Sequence, residues 1–384
     1  MTADFYETNR APAVGMVGAG QLARMTTAAA VGLGIDFRVL AAAPDESAAQ
    51  VCAGTVVGDY RSADDLLKFA AGCDVVTFDH EHVPPDLIAA MEHAGTVVRP
   101  GGRALRYAQD KLAMREKLSG LGVPCPRFAA VSDLAGVTAF AEQSGWPVVL
   151  KAVSGGYDGR GVWVCSDPAE AAQVLDHGIA LLAEEHVRFT RELAILVARS
   201  PANQGAAYPV VQTVQVDGIC REVLAPAPGL DTETAIDAEA LGLRLAAELD
   251  VTGLLAVELF QTPRGLLVNE VAMRPHNSGH WTIEGAGTSQ FEQHLRAVLN
   301  LPLGATAPVA PCAVMVNILG GPDPDLRDRL THVWAADPGV KIHLYGKQVR
   351  PGRKVGHVTA LGTDFAEVAE RARHAARYLA LGID

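Results

Sequence analysis

Apolar positions along this chain recur with two spacings, and the change from one to the other marks out the predicted elements. Short apolar runs at 13–17, 37–40, 75–78 and 96–98 read as strands. Between them, 21–31, 63–71 and a segment opened by Pro84 and Pro85 carry helical spacing. Strands alternating with helices predict a parallel sheet covered on both faces. Residues 109–121 read as a linker helix stopped by Gly122 and Pro124. A small block follows, with helices at 134–143 and 168–175 and strands at 148–152, 162–165 and 179–183. After Glu184 the pattern turns strand-rich, with candidates at 193–198, 210–216, 253–260 and 265–271, then 314–319, 342–345 and 357–361. Helices are expected at 235–249, where Leu241, Leu245 and Leu249 share a face, and at 289–299 and 364–379. The expectation is an α/β chain in three parts: 12–108, 109–185 and 186–384.

Two glycine-rich turns interrupt this pattern. Gly18-Ala19-Gly20-Gln21-Leu22-Ala23 lies between a strand and a helix, where backbone N–H groups can meet a phosphate. A dinucleotide site also wants an acid closing the second strand, yet Leu40 is followed by Ala41, Ala42 and Ala43. That leaves the phosphate of another ligand, or a tight turn alone. The second turn runs Ser154-Gly155-Gly156-Tyr157-Asp158-Gly159-Arg160-Gly161 and joins two strands, the first ending in Lys151. Its amides could close over a polyphosphate, with Lys151 as a point charge. The alternative is an ordinary hairpin, in which Tyr157, Asp158 and Arg160 would be expensive choices.

Two acids stand where apolar residues are expected. Glu258 and Glu270 each interrupt a strand, and the connector between those strands suits a hairpin. Carboxylates converging to roughly 4 Å repel by about 4 kcal/mol at an effective dielectric near 20. A divalent cation removes that penalty, and oxygen ligands favour Mg²⁺ or Mn²⁺. Two separate salt bridges are the alternative. Arg274-Pro275-His276-Asn277-Ser278-Gly279-His280-Trp281 follows directly and could hold an anionic intermediate. Later, Lys347 precedes Arg350-Pro351-Gly352-Arg353-Lys354-Val355-Gly356-His357, either a shaped cationic turn or a solvated basic one.

Composition narrows the function classes. The 384 residues are 49% apolar and 20% charged, enough to build a folded core. The net charge of −12 disfavours nucleic acid as a partner. No apolar run is long enough to span a membrane, and residues 1–10 lack a secretory core. Cys52, Cys73, Cys125, Cys165, Cys220 and Cys312 form no CxxC pair and read as reduced thiols of a cytoplasmic protein.

The motifs GAGQLARM, QDK, GGYDGRG, NE followed by RPHNSGHW, and RPGRKVGH occur in one order from about residue 14 to about 360. In that order they resemble the ATP-grasp superfamily and, within it, the 5-(carboxyamino)imidazole ribonucleotide synthase family of purine biosynthesis. The resemblance implies a Rossmann-like N-terminal domain, a small lid domain and a large α+β core with a C-terminal subdomain. It implies carboxylation of aminoimidazole ribonucleotide with ATP, Mg²⁺ and bicarbonate, by a homodimer. For ATP it implies Lys111, Lys151, the stretch Gly156, Tyr157, Asp158, Gly159, Arg160, Gly161 and Val162, then Glu184, Glu185, His186, Val187, Glu192, Gln215, Asn269 and Glu270. For the ribonucleotide it implies Gly20, Gln21, Glu81, Tyr157, Asp158, Arg274, Lys347, Arg353 and Lys354. Glu258 and Glu270 become the metal ligands, Arg274 and His276 the contacts to bicarbonate or its phosphorylated form, Lys151 an aid to phosphoryl transfer, and Asp158 the proton acceptor.

Four positions depart from the family pattern: Lys111 for arginine, Asp79 for glutamate, Gln215 for histidine and Met273 for proline. Rival readings are weaker. A formate-using glycinamide ribonucleotide transformylase lacks support from RPGRKVGH and GGYDGRG. A regulatory nucleotide-binding module needs no complete set of Lys151, Glu258, Glu270 and Arg274. A dinucleotide oxidoreductase lacks its acid after Leu40.

Overall fold

In a computed structural model, residues 10–156 and 159–383 are described, and they form three sheets. The first is parallel: β1 (Ala13–Val17), β2 (Asp36–Ala41), β3 (Gly54–Val57) and β4 (Val75–Phe78), in the order β3-β2-β1-β4. The second is antiparallel: β5 (Phe128–Val131), β6 (Val148–Ala152), β7 (Val162–Cys165) and β8 (Leu181–Glu185), in the order β5-β8-β6-β7. The third is large. It contains β9 (Arg191–Arg199), β10 (Gly205–Ala207), β11 (Val211–Val216), β12 (Ile219–Ala225), β13 (Gly253–Thr262) and β14 (Gly265–Ala272). β15 (Cys312–Leu319), β16 (Lys341–Leu344) and β17 (Lys354–Gly362) complete it. Its order is β14-β13-β9-β11-β12-β15-β17-β16, with β10 on β9.

The helices are α1 (Gln21–Gly32), α2 (Ala63–Ala70), α3 (Pro85–His93), α4 (Gly102–Gln109), α5 (Lys111–Gly120) and α6 (Leu134–Ser144). Then come α7 (Pro168–Leu175), α8 (Thr232–Glu248), α9 (Thr282–Gly285), α10 (Gln290–Val298), α11 (Leu330–Ala336) and α12 (Phe365–Leu381). Most start where a short polar side chain can take an orphan amide. Asp110, Asp133, Asp167, Asp231, Ser289 and Asp364 each accept from an amide of the following helix.

Burial explains how the parts join. One apolar cluster runs from Val17, Val76 and Phe78 of the parallel sheet through Met114 and Leu118 of α5 to Ile195, Leu255 and Val257 of the large sheet. The small sheet instead keeps its own core, with Val137, Val148, Leu150, Ala171 and Ala183. The site lies where this sheet meets the other two.

Some expectations are corrected. Residues 96–98 form no strand, because only Val98 bridges, to Val76. Residues 109–121 do not form one helix: Asp110 closes α4 and caps α5, which turns the chain between them. The strand expected at 179–183 is β8, shifted to Leu181–Glu185 by its pairing with β6. Strands β3, β5 and β12 and helix α11 escape the pattern because half-exposed short elements carry little periodic signal.

Candidate active site

The chemistry-bearing residues meet in a cleft of about 750 Å³ where the three sheets come together. The β13–β14 hairpin supplies its acidic floor. Glu258 and Glu270 face each other in register across the two strands, with a bulge just after Glu258. Asn269 donates to Glu258 Oε2 at 3.4 Å. Burial, then the neighbouring Glu270 charge, pushes the Glu258 carboxyl up to about 7. Burial acts on Glu270 too, but Lys111 and Lys151 outweigh it and hold that carboxyl below its usual range. Two carboxylates so crowded suit a hard divalent cation. Among the described residues no third acid, cysteine or histidine joins them to complete a metal site. Remaining ligands would be other oxygens, such as amide or phosphate oxygens and water.

The cations above this floor arrive from separate elements. Lys151, at the end of β6, pairs with Glu184 Oε2 at 2.8 Å and donates to Asn269 Oδ1 at 3.1 Å. Lys111, at the start of α5, pairs with Glu270. Lys111 does not line the cleft itself. Arg274 pairs with Glu81 at 2.8 Å, and despite burial that partner keeps the guanidinium firmly charged. His276 sits 3.6 Å from Glu258 Oε1, with its Nδ1 2.8 Å from Ser278 Oγ. Burial, then the Arg274 and Lys354 charges, pushes its imidazole down to about 3. It is therefore a neutral ring at working pH, able to hydrogen-bond but not to add charge.

From the glycine loop between β6 and β7, Gly155, Gly156 and Gly159 line the cleft. Gly159 and Gly218, the latter from the β11–β12 turn, approach so closely that a Cβ on Gly159 would lie 3.1 Å from Gly218 Cα. Both have positive φ, +74° and +73°. Tyr157 and Asp158 lie outside the described residues, so the expected proton acceptor and substrate contact there have no described position. Gly156 and Val162 line the cleft; Arg160 and Gly161 do not.

The nucleotide hinge expected at 184–187 lines the cleft as a unit. Glu185 is already engaged by Arg127, through the main-chain N–H and Nε, each at 3.0 Å. Glu192 and Gln215 also line it. Burial pushes the Glu192 carboxyl up to about 7. A carboxyl with a raised folded pKa is destabilising once ionised. Its cost is absent below the unfolded value near 4.5, grows between there and 7, and stays above. Thermal melts should therefore show Glu192→Gln more stable than the parent at pH 8, with no difference at pH 4. Equal melting temperatures at pH 8 would contradict this reading.

For the N-terminal glycine turn, left open between a ligand phosphate and a tight turn alone, the structure shows an internal partner. The amides of Gly20 and Ala23 do not wait for a ligand phosphate; they donate to the Asp79 carboxylate, which closes β4. The anion at that helix start is the protein's own. Gln21 lies beside it and accepts from Lys347, and both line the cleft with Lys354. Gly20 and Arg353 do not; the Arg353 guanidinium turns to the Gln348 carbonyl at 3.2 Å. A Cβ on Gly20 would fall 2.4 Å from Asp79 Oδ2, expelling that carboxylate. Gly20→Ala should therefore weaken binding of a phosphorylated ligand held by Gln21, Lys347 and Lys354 about tenfold, leaving ADP affinity unchanged. Titration calorimetry with each ligand checks this.

Sequence reasoning missed Arg115, His80 and His82, and gave Gln109 and Asn277 no role of their own beyond the motifs that contain them. Arg115 is wholly buried, and the others line the cleft. Arg115 had a readable signal, since it follows Lys111 by four positions on one helix face. His80 and His82, stacked at 5.1 Å, gave none.

Comparison with known proteins bears on all of this. Residues 116–291 match the family model of the ATP-grasp domain, 12–109 that of the ribonucleotide synthetase preATP-grasp domain, and 313–371 that of the phosphoribosylaminoimidazole carboxylase C-terminal domain. The chain is 54% identical over 380 residues to the N5-carboxyaminoimidazole ribonucleotide synthase of Mycobacterium tuberculosis, covering 97% of this chain and 89% of that protein. The crystal structure of the synthetase from Thermus thermophilus superposes with a TM-score of 0.86 at 40% identity, covering 97% and 99% of the two chains. A synthase structure from Aspergillus clavatus, in complex with ADP and 5-aminoimidazole ribonucleotide, gives 0.88 at 32% identity, covering 96% and 98%.

Proposed function

Because this chain belongs to the N5-carboxyaminoimidazole ribonucleotide synthase family, we propose that the cleft above Glu258 and Glu270 is where it carries out that family's reaction. The protein is an ATP-dependent ligase with an ATP-grasp fold that forms a carbon–nitrogen bond. It carboxylates 5-aminoimidazole ribonucleotide to the N5-carboxyamino product in purine biosynthesis.

The observation that carries the site assignment is the convergence of Lys151, Glu258, Glu270, Arg274 and Lys354 on one cleft. In our reading, ATP lies with its base toward residues 184–187 and its phosphates toward Lys151 and Asn269. Bound Mg²⁺, or Mn²⁺, held by Glu258 and Glu270, supplies neutralisation of phosphate charge. Bicarbonate is the co-substrate. Its oxygen attacks the γ-phosphorus, the bond to the β-phosphate oxygen breaks, and carboxyphosphate and ADP result. Arg274 holds the carboxylate end of that anion and His276 hydrogen-bonds it. The exocyclic amine of the ribonucleotide then takes the carboxyl carbon, from carboxyphosphate or from CO₂ released by it, and phosphate departs. Asp158 is our candidate to accept the amine proton. Gln21, Glu81, Lys347 and Lys354 hold the ribonucleotide. Positioning and fixed charge supply most of the rate, as in phosphoryl transfer generally, and the glycine loop keeps water from a hydrolysable intermediate.

We further propose a homodimer in the cytoplasm. Strand β3 ends its sheet among the described residues, and with Val56 42% and Val57 56% exposed it is the kind of apolar edge a partner covers. All six cysteines are unpaired, which suits a reducing compartment. No helix among the described residues is long and apolar enough to cross a membrane.

The test is ATP-dependent transfer of labelled bicarbonate onto aminoimidazole ribonucleotide, with stoichiometric ADP release. Labelled product supports the reading. ADP release only with glycinamide ribonucleotide and formate would replace it with the transformylase reading.

A further inference from the structure

Arg115 touches neither the cleft surface nor solvent, yet all its nitrogens are used. Its side chain is 0% exposed. Nε donates to Glu184 Oε1 at 2.7 Å, one terminal nitrogen to the Val268 carbonyl at 2.9 Å, and the other to the Asn269 carbonyl at 2.7 Å. Glu184 in turn offers Oε2 to Lys151, and Lys151 reaches Asn269 Oδ1. The result is a closed ring through α5, β8, β6 and β14, drawn from the small sheet, the large sheet and the helix between them.

The charge count in this ring is informative. Two cations share one carboxylate, and that carboxylate is only 3% exposed in its side chain. A buried carboxylate with a single partner binds it tightly, because separating the pair leaves a bare charge in a poorly polarisable surrounding. If Lys151 were that single partner, turning it toward a triphosphate would strand Glu184. With Arg115 on the other oxygen, Glu184 stays compensated when Lys151 turns away. The two main-chain carbonyls hold the guanidinium in place meanwhile, so it does not follow.

We propose that Arg115 is a positioning residue for ATP: it neutralises Glu184 so that Lys151 is released to the nucleotide phosphates. The proposal rests on the reading above that Lys151 meets those phosphates. It assigns Arg115 a role through charge rather than as a mere brace between sheets.

The experiment measures ADP affinity by calorimetry and the KM values for ATP and for aminoimidazole ribonucleotide, in the full-length protein. Lys151→Ala comes first. It should weaken ADP binding at least tenfold; no change would mean the phosphate reading of Lys151 has failed, independently of Arg115. Given that control, Arg115→Gln keeps a hydrogen-bonding side chain but drops the charge. It should weaken ADP about tenfold and raise the KM for ATP similarly, with the KM for ribonucleotide unchanged. Arg115→Lys keeps the charge but cannot reach both carbonyls, and should stay within threefold of the parent for ADP even if its melting temperature falls. Unchanged ADP affinity in Arg115→Gln, or equal rises in both KM values, overturns the proposal. Should Arg115→Gln not fold, Arg115→Lys decides alone. Affinity within threefold upholds charge compensation, and a tenfold loss reduces Arg115 to a brace.

Discussion

Glu270→Gln should cut ATP turnover in the presence of ribonucleotide and bicarbonate by about a thousandfold at saturating Mg²⁺, at the upper end of what losing one charge-stabilising group costs. The substitution is nearly isosteric, so packing changes little. What it removes is charge at a point where charge is concentrated. Glu270 faces Glu258 across the hairpin and pairs with Lys111. An amide there leaves Lys111 without its anion and leaves Glu258 as the sole acid for a divalent cation. Raising Mg²⁺ should recover only part of the loss. Steady-state ADP release checks this, with a thermal melt to show the fold intact. Turnover within tenfold of the parent would remove Glu270 from the metal site.

Arg274→Ala should lower kcat for carboxylation by roughly a hundredfold or more, again on the scale of one lost oxyanion-type donor, while leaving ADP affinity within about twofold. The two readouts separate because of where Arg274 lies. It pairs with Glu81 from the loop after β4, on the side we assign to the ribonucleotide, whereas the proposed nucleotide hinge, 184–187, starts at the end of β8. Arg274→Lys keeps a charge but not the planar fork that matches a carboxylate, and should recover only part of the rate. A parallel loss of ADP affinity would mean that Arg274 serves the nucleotide instead.

Much of the site was readable before any fold was known, because its chemistry is locally encoded. Glu258 and Glu270 betray themselves as acids inside apolar strands, and the β13–β14 hairpin puts them opposite each other with little help from the rest of the chain. The glycine loop between β6 and β7 is similarly self-announcing. Apolar spacing placed most helix starts to within a residue or two, though α8 begins three residues before the expected 235.

What escaped reading was whatever depends on partners far along the chain. The amides of Gly20 and Ala23 looked available for a phosphate; Asp79, 59 and 56 residues away, had taken them. The pairing of Lys111 with Glu270, 159 residues away, was equally invisible until α5 packed against β14. Arg115 drew no reading at all from the sequence, because its partners lie on two sheets that α5 is wedged between.

The linear chain therefore determined which residue types are present, the alternation that makes strands and helices, and the pairing of two acids on one hairpin, since each depends on neighbours within a few positions. Which cation answers which acid was settled only when three sheets closed on one cleft. Electrostatic partnership falls off over a few ångströms, and bringing Arg115 to Glu184, or Arg274 to Glu81, takes contacts across 69 and about 190 residues of chain that no local pattern records.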